Sequence, residues 1–272
     1  MKTTIALDGH LHVYPAHDWA LTVRSLLRNL PDSGCKIGLL TETASCRFYR
    51  QVMDNPAAFR SGSLALDPGP EPGSLVAKDG GAVAGYLIAG RQIATAERLE
   101  VLALCADVSI PDRLPLRVTL DAVRSQNAVP VLPWSPGKWF FRRGCLVENL
   151  LRTLAPDRFL LGDTSLRPGF WPTPALMRLA AGRGFKIVAG TDPLPRAGEE
   201  RLAGTYGTVA TAEFDAGRPV SSVRALLLDP GVAFAGVGQR SGTVAFFRRW
   251  CSPFVLGSSR HKAGSTGRDP QR

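Results

Sequence analysis

Residues 4–12 read TIALDGHLH, and this stretch decides how the rest of the chain is interpreted. A short apolar run over residues 4–7 is typical of a buried strand, and it leads directly into Asp8, His10 and His12. Side chains two positions apart on a strand point to the same side, so both imidazoles face one point. Imidazole is a common ligand of zinc, manganese and iron. The stretch therefore predicts a metal site that begins at the end of the first strand.

A pair of histidines in a polar turn is the simpler alternative. The chain has four histidines, and three of them, His10, His12 and His17, lie within eight residues of one another. This clustering favours a site over a chance pair. For His17 the sequence favours a solvent-facing side chain, with Asp18 capping the helix that follows.

Downstream of the first strand, short apolar runs alternate with segments of helical periodicity. Helices are predicted over residues 17–30, 116–127, 145–154, 173–181 and 220–228, and a final strand pair over 232–247. Residues 63–106 interrupt this series with turns and short alternating stretches, which indicate an inserted β-meander. Six or seven β-α units predict an α/β fold, a distorted (β/α)7 TIM-like barrel. The alternative, a doubly wound open sheet, would carry a glycine-rich loop after the first strand, and none is present.

The length and composition are those of an ordinary globular protein. Of 272 residues, 44% are apolar and 21% are charged. No run approaches about 18 apolar residues, and the first residues lack the apolar core of a signal peptide, so we expect a cytoplasmic protein. We expect a single domain over residues 1–256 and a disordered basic tail over residues 257–272.

The formal net charge of +10 favours anionic partners. The basic residues are scattered along the chain, and no basic run is interleaved with aromatic residues. We therefore expect a diffuse positive field that attracts a small anionic substrate or ligand. We expect neither a nucleic-acid partner nor a membrane.

Polar residues that follow other predicted strands would meet at the same mouth of a barrel. They are Glu42, Asp163 and Asp192, together with Gln92 and Glu100 from the meander. Each carboxylate could instead cap the helix that follows it. For Asp192 the functional interpretation is favoured, because Pro193 favours an extended backbone that presents the side chain to the mouth.

The motifs resemble those of the polymerase-and-histidinol-phosphatase (PHP) family, which are metal-dependent phosphoesterases on a distorted (β/α)7 barrel. The stretch DGHLH at residues 8–12 resembles the opening HxH of that family, and LTET at 40–43 resembles its "TDH" strand end. Residues 90–102 resemble the "GxEI…HxLG" segment, and 132–137 resemble the "AHP" segment. The closing "GSDxH" is similar to GTD at residues 190–192. The resemblance implies a divalent metal cofactor and a phosphoesterase activity.

The sequence departs from the family pattern at several ligand positions. The residues found there are Thr43, Gln92, Glu100, Ser135 and Leu194. Of these, only Glu100 offers a strong ligand. The resemblance then implies a reduced centre with one zinc or manganese ion rather than three, held by His10, His12, Asp192 and Glu100.

The remaining roles follow from the chemistry of a hydrolase with one metal ion. Asp192 and Glu42 are the expected catalytic carboxylates, and Arg91 and Arg167 are expected to bind the anionic group of the substrate. The predicted function is a metal-dependent hydrolase that acts on a phosphoester or a similar anionic substrate. The alternative is a non-catalytic PHP-like barrel that binds a small anion or a protein partner.

Overall fold

The computed structural model describes residues 2–250, which form thirteen strands and seven α-helices. The strands are β1 (Lys2–Leu11), β2 (Cys35–Leu40), β3 (Arg60–Ser61), β4 (Leu64–Pro68), β5 (Ser74–Asp79), β6 (Ala82–Ile88), β7 (Gly90–Ala94), β8 (Glu100–Leu104), β9 (Val129–Pro133), β10 (Leu160–Thr164), β11 (Ile187–Gly190), β12 (Tyr206–Glu213) and β13 (Ala235–Gly238). The helices are α1 (Trp19–Asn29), α2 (Phe48–Asp54), α3 (Leu116–Ser125), α4 (Phe141–Thr153), α5 (Ala175–Gly182), α6 (Pro219–Leu228) and α7 (Thr243–Trp250). The predicted tail, residues 257–272, lies outside the described residues.

The strands form two sheets. The first has the order β13-β12-β1-β2-β6-β5-β4-β3, and the second has the order β11-β10-β9-β8-β7. Within them β1, β2 and β6 run parallel to one another, as do β9, β10 and β11. The predicted meander is confirmed as the antiparallel strands β3 to β6 and the hairpin of β7 and β8. The C-terminal part differs from the prediction, since β13 is followed by α7 rather than by a second strand.

The α/β class is confirmed, but the sheets are not closed into a (β/α)7 barrel. A closed barrel of this kind needs an uninterrupted parallel ladder around its circumference. Here β12 pairs antiparallel with β1, and β8 pairs antiparallel with both β7 and β9. These antiparallel pairings interrupt the parallel series, so the chain forms two open sheets that face each other.

Apolar side chains fill the space between the sheets and the layers outside them. Because side chains alternate along a strand, Ile5 and Leu7 of β1 belong to the inner core, whereas Ala6 packs outward among residues of α1. Helix α6 completes the inner core through Val223 and Leu227. Helices α3, α4 and α5 cover the outer face of the second sheet. The inner core therefore packs β1 of the first sheet against strands of the second sheet.

The sheets approach each other along two seams. At one seam, β1 meets β11: a Cβ added to Gly190 would lie only 2.2 Å from the backbone nitrogen of His10. Just beyond it, the amide of Asp192 donates to the carbonyl oxygen of His10 over 2.8 Å. At the other seam, Glu42, two residues after the end of β2, forms an isolated parallel bridge with Arg91 of β7. The candidate ligands lie where these seams end.

No helix within residues 2–250 is long and apolar enough to cross a membrane.

Candidate metal centre

Three predicted ligands converge at the first seam. Nε2 of His10 lies 3.1 Å from Nε2 of His12, and these two nitrogens lie 3.5 and 3.7 Å from Oδ1 of Asp192. The three ligand atoms all lie within 4.8 Å of one another, and both imidazoles are buried. His10 lies near the end of β1 and His12 directly after it, and the loop after β11 carries the aspartate.

The spacing of these atoms fits a single divalent ion. Donors bound to one zinc ion at about 2.0–2.1 Å in tetrahedral geometry stand roughly 3.3–3.4 Å apart, which is close to the three separations observed. Two imidazoles and one carboxylate are also a donor set that zinc and manganese accept. The group His10, His12 and Asp192 could therefore bind a metal ion.

The electrostatics of the group follow from its burial. Burial lowers the pKa of His12 well below its ordinary value, and the neighbouring His10 lowers it further. Burial raises the pKa of Asp192, although His10 acts in the opposite direction. A neutral imidazole is the form that coordinates a metal, so the surroundings of His12 favour the ligating state.

The backbone of Asp192 differs from the extended form that Pro193 led us to expect. Its φ is 55°, in the left-handed region that is uncommon for residues with a side chain. Hydrogen bonds hold this conformation from both sides, because the Asp192 amide donates to His10 and Arg249 donates to the Asp192 carbonyl oxygen over 3.0 Å. The side chain is thus directed at the imidazoles by long-range contacts.

Asp8 has a structural position rather than a place among the ligands. Its carboxylate accepts hydrogen bonds from the amides of His10, Thr191 and Gly204 at 3.1, 2.8 and 2.9 Å, and from the Thr191 hydroxyl. Burial raises its pKa, while these four bonds oppose the shift. Asp8 therefore joins the ends of β1 and β11 and the turn at Gly204, which sets the distance between the histidines and Asp192.

Gln92 lies beside the ligand group, and Glu100 orients the side-chain amide of Gln92. The Gln92 amide nitrogen donates to Glu100 over 3.2 Å, which leaves Oε1 of Gln92 3.1 Å from Nε2 of His10. Glu100 also forms an ion pair with Lys138. Burial raises the pKa of Glu100, but Lys138 outweighs it and the net pKa is lowered. Glu100, which we predicted as a ligand, is outside the group of three and contacts it through Gln92.

The structure does not bring Glu42 and Arg91 to the ligand group. One carboxylate oxygen of Glu42 accepts a hydrogen bond from the amide of Tyr49 in the first turn of α2, over 2.6 Å. This is the capping alternative recognised for strand-end carboxylates. Burial raises the pKa of Glu42 to about 7. Arg91 faces Asp112, with 3.6 Å between Nη2 and Oδ1.

Arg167 is held inside the protein. Both it and Asp163 are buried, and two guanidinium nitrogens donate to the two carboxylate oxygens of Asp163. The hydroxyl of Tyr206 donates to the same carboxylate over 2.7 Å. Asp18 caps α1 as predicted, but His17 is buried rather than solvent-facing, with Nε2 2.9 Å from the carbonyl oxygen of Leu194.

A cavity of about 1170 Å³ opens beside the ligand group. His12 and Asp192 lie in its wall, as do Gln92, Glu100 and Lys138. Arg91, Arg167 and Glu42 do not line it. Lys138 was not predicted, because a single lysine in a loop of prolines and aromatic residues carries no periodic signal.

Arg249 is a second residue that sequence reasoning did not find. It lies on α7, is buried, and donates to the hydroxyls of Ser165 and Ser241 at 3.0 and 2.9 Å. It also pairs with the buried carboxylate of Glu199 at 2.8 Å, besides its bond to the carbonyl oxygen of Asp192. The arginine doublet in the sequence was the only signal, and nothing in it separates the buried arginine from the exposed one.

No protein-family model matches the sequence, and no curated protein matches it. Solved structures do match the fold. PsfC from Pseudomonas syringae has a TM-score of 0.57 at 14% identity, over 94% of this chain and 99% of that one. The lesion-specific endonuclease PfuEndoQ from Pyrococcus furiosus has a TM-score of 0.53 at 10% identity, over 88% of this chain and 59% of that one.

A third solved structure connects the fold to the resemblance found in the motifs. It is a two-domain protein from Bacteroides vulgatus that contains a predicted PHP-like metal-dependent phosphoesterase. Its TM-score is 0.50 at 15% identity, over 91% of this chain and 70% of that one. At these identities the likeness shows the fold alone, a mixed α/β fold with two sheets that is consistent with a PHP-like one.

One expectation about partners is wrong. We expected no nucleic-acid partner because the basic residues are scattered in the sequence. A protein with a similar fold is an endonuclease, so the scaffold is one that also serves enzymes of nucleic acids. Scattered basic residues in a sequence do not report which of them meet at a cavity, which is the reason that the expectation failed.

Proposed function

We propose that the protein is a metal-dependent phosphoester hydrolase with a reduced centre that binds one zinc or manganese ion. The observation that carries this proposal is the convergence of His10, His12 and Asp192, with all ligand atoms within 4.8 Å, beside a cavity of about 1170 Å³. The PHP-like fold supports the proposal, because one solved protein of similar fold contains a PHP-like metal-dependent phosphoesterase.

The chain's own residues divide the work in the following way. His10 and His12 would hold the ion with neutral nitrogens, and Gln92 would present an amide oxygen to it. A bound divalent ion supplies Lewis acidity, which polarises a phosphoryl oxygen and lowers the pKa of water. Asp192 directs Oδ1 at the imidazoles, so its second oxygen is the group we assign as proton acceptor. Lys138 lines the same cavity and holds Glu100 through an ion pair.

The proposal revises the roles that the resemblance implied. Glu100 becomes the residue that orients Gln92, since it accepts the bond from the Gln92 amide nitrogen. Glu42 and Arg167 receive no catalytic role, because Glu42 caps α2 and Arg167 is bound to Asp163. Arg91 faces Asp112 and does not line the cavity.

The test measures metal content and hydrolysis together. Purified protein is loaded with zinc or manganese, its metal is quantified by mass spectrometry, and hydrolysis of bis(p-nitrophenyl) phosphate is followed. We expect about one ion per chain of the wild type. We expect His12→Ala to lower both metal content and hydrolysis by more than about 100-fold, because one of the residues that bind the ion directly is lost.

His17→Gln is the matched control, since His17 is also buried but lies outside the ligand group. It should retain the metal. Hydrolysis that persists undiminished in a folded His12→Ala variant would contradict the proposal. Metal content well below one ion per chain, with no hydrolysis, would favour the non-catalytic alternative.

A further inference from the structure

Charged side chains of both signs line the cavity beside the metal centre. The carboxylates are Glu97, Glu100, Asp112 and Asp192, and the cations are Arg98, Arg113, Lys138, Arg143 and Arg249. Which of these charges remain available to a ligand depends on the partners that each has inside the protein.

All four carboxylates already have internal partners. Both oxygens of Glu97 accept from the amide of Leu116 at the start of α3, at 3.1 and 2.9 Å. Asp112 accepts from the amide of Ala94 over 3.2 Å and faces Arg91. Glu100 pairs with Lys138, and Asp192 faces the two imidazoles. Each carboxylate of the cavity is therefore held by contacts within the fold.

Three of the five cations also have partners inside the protein. Lys138 pairs with Glu100, and Arg249 pairs with Glu199. Arg143 donates to the carbonyl oxygen of Gly137 over 2.7 Å. For the exposed side chains of Arg98 and Arg113, residues 2–250 provide neither a hydrogen-bond acceptor nor a carboxylate within ion-pair distance. Among the cations that line the cavity in the described residues, these two guanidinium groups are therefore the ones whose side chains have no internal partner.

The backbone holds both arginines in an unfavourable conformation. Arg98, in the turn between β7 and β8, has a φ of 61°, and Arg113 has a φ of 69°. Glycine adopts this left-handed conformation without steric cost, whereas other residues are uncommon there. Their amides are fixed by bonds to the carbonyl oxygens of Thr95 and Ala94, at 3.0 and 2.7 Å. Strained residues of this kind are concentrated at functional sites, and Asp192 of the same cavity is another.

We propose that Arg98 and Arg113 form a second anion site, which binds a phosphate group of the substrate other than the one that is cleaved. A guanidinium group binds phosphate through two parallel hydrogen bonds, so two unpaired guanidinium groups suit a phosphate well. The cavity, at about 1170 Å³, is also larger than the roughly 300–1,000 Å³ of most ligand sites, and so has room for more than one phosphate. This inference rests on the proposed function, because it takes the cleaved bond to be a phosphoester at the candidate metal centre.

Two sources of such a phosphate share this chemistry: a nucleic-acid strand and a free polyphosphate. The test uses a fluorescent oligothymidylate of eight nucleotides and inorganic tripolyphosphate. Binding to the full chain is measured by anisotropy and by calorimetry, with chelator present so that turnover does not compete. The variant is Arg98→Gln/Arg113→Gln, and the matched control is Arg28→Gln/Arg183→Gln, which removes two exposed arginines outside the cavity.

We expect the Arg98→Gln/Arg113→Gln variant to bind at least one probe more than about tenfold more weakly than the wild type. The Arg28→Gln/Arg183→Gln control should bind less than about twofold more weakly. For the Arg98→Gln/Arg113→Gln variant, the slope of log K against the logarithm of salt concentration should become less negative by about one to two, because phosphate contacts are lost. Weakening for the oligonucleotide alone identifies a strand as the ligand, and weakening for tripolyphosphate alone identifies a free polyphosphate.

Equal weakening by the two double variants would overturn the proposal, because the whole positive field rather than a local site would then bind the anion. Absence of binding of both probes to the wild type would overturn it as well. Melting temperatures of both variants verify that each is folded. Since neither probe experiment requires hydrolysis or metal, failure of the second site is distinguishable from failure of the proposed function.

Discussion

The carboxyl group of Glu42 is expected to make folding stability depend on pH. Burial raises its pKa to about 7 in the folded protein, from an ordinary value of 4.5. The folded state therefore holds this proton more tightly than the unfolded state. Its contribution to stability is fully present below about pH 4.5 and is lost as the pH rises through 7.

The variant Glu42→Gln, which keeps an oxygen for the Tyr49 amide but has no proton to lose, isolates this effect. Between pH 4.5 and 7 we expect the wild type to lose roughly 1–3 kcal/mol of unfolding free energy relative to this variant, measured by urea denaturation at each pH. Glu97→Gln is the control. Glu97 also caps a helix, α3, so this variant shows how much the unfolding free energy changes when a capping carboxylate is replaced by an amide. Parallel pH profiles for wild type and Glu42→Gln would show that the carboxyl group is not responsible.

Single residues also show how much of the site the sequence could reveal. His10 and His12 could be identified because their two-residue spacing fixes their relative direction on any strand. For Gln92 and Glu100 the sequence indicated the region but not the roles, since their roles depend on an amide orientation set by Lys138 from a distant loop. Arg167 appeared to be available to substrate, and only the fold places Asp163 and Tyr206 against it.

At the scale of the element, α7 connects the C-terminal part of the described chain to the candidate metal centre. Arg249 extends from this helix to the carbonyl oxygen of Asp192 and to the buried carboxylate of Glu199. The sequence predicted a strand here. The pattern of residues 232–247 is compatible with either element, and the packing of Phe246 and Arg249 selects the helix.

We expect Arg249→Met to weaken metal binding by about tenfold, because a residue that orients a ligand is lost. The affinity is measured by competition with a chelating dye. Unfolding free energy should also fall by roughly 1–3 kcal/mol, since the buried carboxylate of Glu199 loses one of its two arginine partners and keeps the other, Arg196. Arg248→Met is the control, because Arg248 is adjacent in sequence and exposed. A folded Arg249→Met variant with unchanged metal affinity would remove the positioning role.

At the scale of the whole molecule, the position of the site depends on the seam between the two sheets. The seam needs glycine at position 190, where a Cβ would lie 2.2 Å from the backbone nitrogen of His10. Neither strand can move away easily, because Asp8 bonds to the amides of both His10 and Thr191. The same contacts that join the sheets therefore hold the ligands together.

We expect Gly190→Ala to lower the unfolding free energy by about 1–3 kcal/mol or more, as overpacking does in closely packed interiors, and to lower metal affinity at the same time. Gly182→Ala is the control: it ends α5, and an added Cβ would meet nothing within 4 Å. Alanine there should leave stability unchanged or raise it slightly. Denaturation and metal titration of both variants provide the comparison, and equal stability of the two would show that the seam tolerates a side chain.

By itself the sequence determined the α/β class, the meander and the pair of histidines, because each rests on a local pattern: alternation, helical periodicity or spacing along one strand. It also indicated Asp192 as a residue that follows a strand, but long-range contacts direct that side chain at the histidines. Only the tertiary structure decided that the sheets stay open, that Glu42 caps a helix, and that the side chains of Arg98 and Arg113 are left without partners among residues 2–250, beside the candidate metal centre. Those outcomes depend on which distant residues come into contact. Strand order and register set such contacts, and no local pattern encodes them.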